Sequence, residues 1–395
     1  MAEGGFEHLI APTSFDAFFE QHWESRPLRT ERHDPRYFDG IITTAAIDRL
    51  FESRQHGAEF IKVIADGREV HQGVWAEPIA LKDGRTVQVA DFAKVLDEFH
   101  RGASIVINGA HRSIPELRTL CDRLKDELGL DLQANIYITP SESRAFKPHY
   151  DLHDAFLLQI AGRKCWRMYR RVADYPVEQT GTDLEAVESD APQEEFVLEQ
   201  GDALYIPSGY VHAAATSERA SVHVTLGLKP KRRYELLEDL LEAAKAEPEL
   251  RKALPLKVFS KERQAEEWAR TLESLDAIWA RFRAHPEGNV HASKQDRRQG
   301  ASLTDAIDID EIDASTVVRL LADVEIEPRA DQSEISLSAG AHRVTVARIF
   351  EPTIVGLLTK KPVTVGELGG LLTDAGKVEF AQTLARAGLL EIVRD

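Results

Sequence analysis

Between residues 134 and 226 the chain passes through short apolar segments separated by glycine- and proline-bearing turns, and no other feature limits its fold as much. Residues 134–139 (ANIYIT) alternate in character, and 155–160 (AFLLQI) are almost wholly apolar. Ala161-Gly162-Arg163 then turns the chain into 164–169 (KCWRMY), and 196–198, 203–206 and 221–226 add further short apolar runs. Alternation marks a strand with one covered face; a continuous apolar run marks a strand buried on both. Strands this short, punctuated this often, predict a sandwich or closed barrel rather than a helical bundle.

Helical signals flank this block. Ser14 precedes FDAFFEQHW and is placed to cap a helix; residues 101–108 (RGASIVIN) read as a strand. From 114 to 128, Leu117, Cys121, Leu124 and Leu128 recur on one helical face. Beyond about Lys231 the pattern turns helical. In 261–283, Trp268, Leu272, Leu275, Trp279 and Phe282 form a single stripe. That stripe fits packing within its own domain or a dimer seam, where large aromatics dominate. Residues 285–305 are polar, with scattered Gly, Pro and Ser, and read as a linker. The remainder predicts a helix at 350–358, a Pro-Val-Thr-Val turn, helices at 365–372 and 377–387, and a final short strand. This order resembles a winged helix.

Composition removes several function classes. Lys+Arg 49 against Asp+Glu 66 gives a net charge of −17, which repels a nucleic-acid backbone. Residues 301–395 carry 9 Lys+Arg and 16 Asp+Glu, a net of −7, so protein contact is expected there rather than DNA binding. Apolar runs fall well short of the roughly 18 residues a membrane span needs, and the N-terminal stretch lacks the pattern of a secretion leader. Cys121 and Cys165 form no CxxC pair, consistent with a reducing cytoplasm.

The chemistry is concentrated in Lys147-Pro148-His149-Tyr150-Asp151. On a strand, His149 and Asp151 project from one face. An imidazole beside a carboxylate suits a divalent metal, and one more histidine completes the facial set that leaves positions open on iron(II). Gly201-Asp202-Ala203-Leu204-Tyr205-Ile206-Pro207-Ser208-Gly209-Tyr210-Val211-His212 supplies it: a turn, an apolar strand, then a loop bringing His212 to the barrel edge. His153 reads as a bystander at the rim, and His223 as a satisfied core histidine or one supporting a ligand. Lys164 opens the strand after the Gly162 turn. If it points into the barrel it needs an anion, and with iron present the natural anion is the distal carboxylate of 2-oxoglutarate.

These motifs, in this order, resemble the JmjC/cupin 2-oxoglutarate oxygenases, and within them the ribosomal oxygenase branch. His22-Trp23-Glu24-Ser25-Arg26-Pro27-Leu28, Asn135-Ile136-Tyr137-Ile138-Thr139-Pro140, the His149-Tyr150-Asp151 triplet, the run from Leu158 to Tyr169, and Gly201 through His212 carry the resemblance. It implies a mainly β catalytic domain, the double-stranded β-helix of cupins, at 1–230 with a helical lead-in and flanking helices. A helical dimerisation region and linker at 231–300 and a winged-helix-like domain at 301–395 follow. It implies His149, Asp151 and His212 as iron ligands, Lys164 as partner of the 2-oxoglutarate carboxylate, and Asn135 and Tyr137 at the cosubstrate pocket. On the last strand, Ser221 or Thr225 assists. Leu152-His153-Asp154 departs from the family pattern by setting a second titratable pair beside the iron, which bears on the substrate rather than on the iron chemistry.

The implied reaction uses Fe(II), 2-oxoglutarate and O2 to hydroxylate a protein side chain, with a ribosomal protein as substrate, a homodimer as assembly, and no direct nucleic-acid or membrane partner. Rival readings keep the chemistry on a peptide natural product or small metabolite, invoke a metal cupin that does not use 2-oxoglutarate, or invoke a transcriptional regulator. A buried Lys164 separates the first two, and the −7 charge disfavours the last.

Overall fold

A computed structural model describes residues 5–52, 57–82, 84–143, 147–177, 191–284, 308–321, 324–328, 334–339, 342–359 and 361–393. The chain divides into two compact units, Met1–His291 and Ala292–Asp395. The 285–305 stretch read as a linker lies outside the described residues.

In the first unit, α1 (Phe6–Ile10), α2 (Phe15–Gln21) and β1 (Leu28–Thr30) lead to α3 (Thr44–Glu52). Ser14 caps α2 as expected, its hydroxyl accepting from the Ala17 N–H at 3.3 Å. Then follow β2 (Ile61–Ala65), β3 (Arg68–Glu69), the β4 (Ala76–Ala80) and β5 (Thr86–Ala90) hairpin, α4 (Phe92–His100), β6 (Ser104–Ile107) and α5 (Pro115–Leu128). The expected 101–108 strand is thus shorter, because Arg101–Gly102 complete a turn with φ +102° at Gly102. On α5, Leu117, Cys121 and Leu124 are buried as the stripe required.

The β-rich block comprises β7 (Asp131–Thr139), β8 (Asp154–Gly162), β9 (Lys164–Arg171), β10 (Glu194–Leu198), β11 (Ala203–Ile206), β12 (Tyr210–Ala215) and β13 (Ser221–Lys229). They form an eight-stranded sheet ordered β1-β11-β8-β13-β7-β6-β2-β3 and a three-stranded sheet ordered β10-β9-β12.

Strand parity explains both the apolar runs and the site. On β8, Phe156, Leu158 and Ile160 join the core built with the N-terminal helices, whereas Ala155 and Leu157 pack toward Trp166, Met168, Phe196 and Leu198 of the second sheet. With both faces covered, β8 reads as an unbroken apolar segment. Each of its large side chains contributes roughly 1.5–3 kcal/mol by leaving water. The same alternation sends Ala134 and Ile136 of β7 and Val224, Leu226 and Leu228 of β13 to the helical side. Their odd-numbered neighbours are left to face the second sheet. At the β8–β9 turn Gly162 has φ +63°, and a Cβ there would lie 1.9 Å from the Ala220 carbonyl oxygen, so only glycine closes it.

Two helices follow, α6 (Glu235–Ala246) and α7 (Lys261–Ala284). Ile278 is the buried residue of α7. The aromatic stripe is not packed inside the chain: Trp268, Leu272, Leu275 and Trp279 are 46%, 56%, 41% and 43% exposed.

The second unit comprises β14 (Val317–Leu320), the meander β15 (Glu325–Pro328), β16 (Glu334–Ala339) and β17 (His342–Ala347), α8 (Glu351–Leu357), β18 (Val363–Thr364), α9 (Asp374–Arg386) and β19 (Leu390–Ile392), with side chains of β14, β16, α8, α9 and β19 buried in one core. The sheet orders are β18-β14-β19 and β15-β16-β17. The helix expected at 365–372 is one 3-10 turn, Val365–Glu367. Gly369 and Gly370 follow it, and Gly370 takes φ +102° where a Cβ would meet the Thr353 hydroxyl at 2.6 Å. Among the described residues no helix is long and apolar enough to cross a membrane.

Candidate metal centre

The HxD pair is not on a strand, as its spacing suggested, but in the link between β7 and β8. Pro148 lacks the N–H that a continuing ladder needs. The link is fastened another way. His149 and His212 form an antiparallel bridge, and the Gly209 N–H donates to the Asp151 carbonyl at 3.0 Å. Gly209 has φ +82°, with 1.8 Å between a notional Cβ and the Ala173 carbonyl oxygen. His212 is the third residue of β12 rather than part of the loop before it.

One ligand atom from each of His149, Asp151 and His212 lies within 4.8 Å of the others. His212 Nε2 stands 3.8 Å from Asp151 Oδ2. Nδ1 of His149 bonds the Lys147 carbonyl at 2.9 Å and Nδ1 of His212 bonds the Tyr210 carbonyl at 3.0 Å. A carbonyl only accepts, so in each ring Nδ1 carries the proton and Nε2 keeps its lone pair, the tautomer a metal ligand requires. Burial, with His149 as neighbour, drives His212 down to about 4, so it is a neutral donor at physiological pH. Two neutral imidazoles and one carboxylate are the donor set of a non-haem iron(II) site.

The three donors open into a cavity between the sheets. Tyr137 of β7, Ala155 and Leu157 of β8, Lys164 and Trp166 of β9, Ala214 of β12, and His223 and Thr225 of β13 complete its wall. Those on β7, β8 and β13 sit on the parity left facing inward by the helical-side core. Lys164 is 3% exposed, and its ammonium donates to the Thr139 hydroxyl at 3.0 Å. Burial lowers its pKa from 10.5 to about 7. Tyr137 is pushed up, by burial first and then by Asp151.

Of the residues read from the sequence, His149, Asp151, His212, Lys164 and Tyr137 come together. Asn135 is not itself part of the wall, but its side chain hydrogen-bonds Tyr137, which is, and its Oδ1 accepts from the Gly109 N–H at 2.9 Å. Of the two last-strand candidates Thr225 lines the wall, while Ser221 is fully buried and its hydroxyl accepts from Gln159 Nε2 at 2.8 Å. Asp154 does not line the cavity: fully buried, it accepts from the Tyr205 hydroxyl and, at 2.9 Å, from the Ser208 N–H. His153 packs over Gly227, with Nδ1 bonded to the Asp154 carbonyl at 3.2 Å. Trp166 and His223 were not assigned to the wall from the sequence. Counting alternate residues along β9 from Lys164 and along β13 from Thr225 finds both.

The JmjC domain family matches residues 109–236, the span that holds every donor described above. Among curated proteins, the bifunctional lysine-specific demethylase and histidyl-hydroxylase NO66 of Drosophila persimilis is 34% identical over 64% of this chain and 36% of its own length. The Drosophila mojavensis protein of that name is 31% identical over 97% of this chain and 45% of its own. Ribosomal oxygenase 1 of Gallus gallus is 32% identical over 64% of this chain and 42% of its own. The chain therefore spans less than half the length of these relatives. Among solved structures, Escherichia coli ycfD superposes with a TM-score of 0.56 at 16% identity, covering 97% of this chain and 99% of that one. A second structure of that protein, a ribosomal oxygenase in complex with cobalt and 2-oxoglutarate, gives 0.53 at 16% identity over the same shares. The shared fold is the mainly β cupin barrel with flanking helices. With relatives among the NO66 and ribosomal oxygenase proteins, the chain carries a JmjC domain over residues 109–236.

Proposed function

We propose that the chain is an Fe(II)- and 2-oxoglutarate-dependent oxygenase that hydroxylates a side chain of a ribosomal protein. The observation that carries this reading is one cavity lined both by the cluster His149, Asp151 and His212 and by the buried Lys164. When bound, iron and cosubstrate supply the chemistry: O2 is consumed, 2-oxoglutarate becomes succinate and CO2, and one oxygen atom enters a C–H bond.

The residues do the rest. His149, Asp151 and His212 would hold the metal by three donors and leave its other positions open for cosubstrate and O2. Lys164, poised by the Thr139 hydroxyl, meets the distal carboxylate of 2-oxoglutarate, and Thr225 and Tyr137 border the same path. Ala155, Leu157 and Ala214 keep the wall apolar and exclude water. A metal cupin that does not use 2-oxoglutarate has no use for a buried cation there. The relatives' names support a protein substrate.

In this reading 1–230 is the catalytic domain, 231–300 a dimerisation region and linker, and 301–395 a winged-helix-like domain that contacts protein rather than nucleic acid. The exposed stripe of α7, with Leu237 and Leu241 of α6 at 64% and 55% exposure, supports a homodimer, since soluble chains rarely leave such a surface uncovered. Cys121 and Cys165 are free thiols, in keeping with the cytoplasm. The test is mass spectrometry of ribosomal proteins incubated with enzyme, Fe(II), 2-oxoglutarate and O2. One protein is expected to gain the mass of one oxygen atom. Ribosomal proteins left unmodified, with active 2-oxoglutarate turnover, would overturn the substrate assignment.

A further inference from the structure

Two residues of the cavity wall each carry a buried polar atom with no hydrogen-bond partner among the described residues, Nδ1 of His223 and Nε1 of Trp166. His223 is 3% exposed and Trp166 4%. A buried polar group left unpaired is costly and calls for an explanation. Both side chains line the same cavity as Lys164. Their rings sit edge to face with centroids 5.7 Å apart, and His223 lies flat on Tyr137 at 4.8 Å with an interplanar angle of 1°. The imidazole is therefore held by stacking on one side and by the indole on the other, without a hydrogen bond to fix it.

The chemistry of the orphans says what is missing. An indole N–H only donates, and an ammonium only donates. Burial and the nearby Lys164 hold His223 well below its ordinary pKa, so it stays neutral and keeps one N–H to give. The cavity wall around Lys164 and its neighbour His223 is thus rich in donors, and the complement of such a wall is a carboxylate.

Building on the function proposed above, we propose that His223, positioned by its stack on Tyr137, is a second carboxylate-holding residue: it donates a hydrogen bond to the distal carboxylate that Lys164 pairs with, and so helps select a dicarboxylate cosubstrate. Trp166 Nε1 is the accompanying donor. Inside the protein the competing acceptor is Gln159 Oε1, itself unpartnered, on the residue paired with His223 across β8 and β13.

The experiment is calorimetric titration of the full-length chain loaded with Mn(II). Two ligands are compared, 2-oxoglutarate and 2-oxopentanoate, which has the same length and 2-oxo acid end but no distal carboxylate. His223→Phe keeps the stack and removes the donor. It is expected to weaken 2-oxoglutarate binding by about tenfold or more while leaving Mn(II) and 2-oxopentanoate binding unchanged. His223→Gln, which restores an N–H donor, should recover part of the loss. Equal weakening of both ligands would assign His223 a purely structural role and overturn the proposal. So would unchanged 2-oxoglutarate affinity with lower thermal stability, the result expected if Gln159 is the partner. A wild-type chain that binds Mn(II) but not 2-oxoglutarate would overturn the parent reading and this one together, whereas failure of His223→Phe alone overturns only this one.

Discussion

His149 and His212, 63 residues apart in sequence, exchange both backbone hydrogen bonds of an antiparallel pair: His149 N–H to the His212 carbonyl at 3.1 Å and His212 N–H to the His149 carbonyl at 2.9 Å. Their rings stand 4.5 Å apart by centroid. A metal site is thus pre-set by the backbone, so binding does not have to pay for ordering two remote segments.

Removing the anionic donor tests the ligand set. Asp151→Ala should weaken divalent metal binding roughly ten- to a hundredfold and abolish turnover, with the folded circular dichroism spectrum retained. Full activity would rule out Asp151 as a ligand.

Lys164→Ala should raise the 2-oxoglutarate requirement by roughly ten- to a hundredfold while Mn(II) stays bound. An unchanged cosubstrate titration would place the carboxylate elsewhere.

The same lysine sets a pH dependence. In the ligand-free chain burial holds it at about 7 against 10.5 unperturbed. Between these values the unfolded chain binds more protons than the folded one, so ligand-free stability rises with pH across that window and is flat below it. A dicarboxylate needs the ammonium, so its affinity is full below about 7 and falls by up to about tenfold per pH unit above. The groups facing Lys164 do not interfere: Tyr137 is shifted upward, His223 is neutral, and His212, at the metal end with His149 and Asp151, titrates near 4. Titration calorimetry from pH 6 to 9 reads the slope, and a flat profile would contradict it.

Asp154 is expected to matter for stability through the turn that leads into His212. Asp154→Ala leaves the Ser208 N–H and the Tyr205 O–H without their acceptor, although the Tyr205 oxygen still accepts from the Glu24 N–H; the loss is roughly 2–6 kcal/mol by urea unfolding, at about 1–3 for each buried unmet donor. A change below about 1 kcal/mol, within the scatter of ordinary surface substitutions, would show that the pair is replaceable by water.

Trp279→Glu should turn a dimer into a folded monomer that still consumes 2-oxoglutarate, as read by light scattering and succinate release. A wild-type mass of one chain at micromolar concentration would remove the stripe on α7 from any assembly role.

How far the sequence reveals this molecule depends on how local each cause is. β8, β9 and β11 lie within a few residues of where their apolar runs put them, because burial on both faces and the Gly162 turn are written into consecutive residues. The His149–Asp151 pair was legible as chemistry but misplaced on a strand, since the bonds that hold it come from His212 and Gly209, far along the chain. His223 passed for a satisfied core residue because its want of a partner is a three-dimensional fact. Asn135 shares parity with Tyr137 and hydrogen-bonds it, while Gly109, brought near by the turn after β6, donates to its oxygen, so Asn135 meets the pocket through Tyr137. The 365–372 helix failed for a local reason that could have been weighed: Gly366, Gly369 and Gly370 in one short segment oppose a helix.

The central claim is that one divalent metal held by His149, Asp151 and His212 creates the 2-oxoglutarate site. The most direct measurement is anaerobic calorimetric titration of 2-oxoglutarate into metal-free and Fe(II)-loaded protein. The account expects one 2-oxoglutarate per Fe(II)-loaded chain, and binding at least about tenfold weaker without metal or in Asp151→Ala. Equal affinity with and without Fe(II) would contradict it.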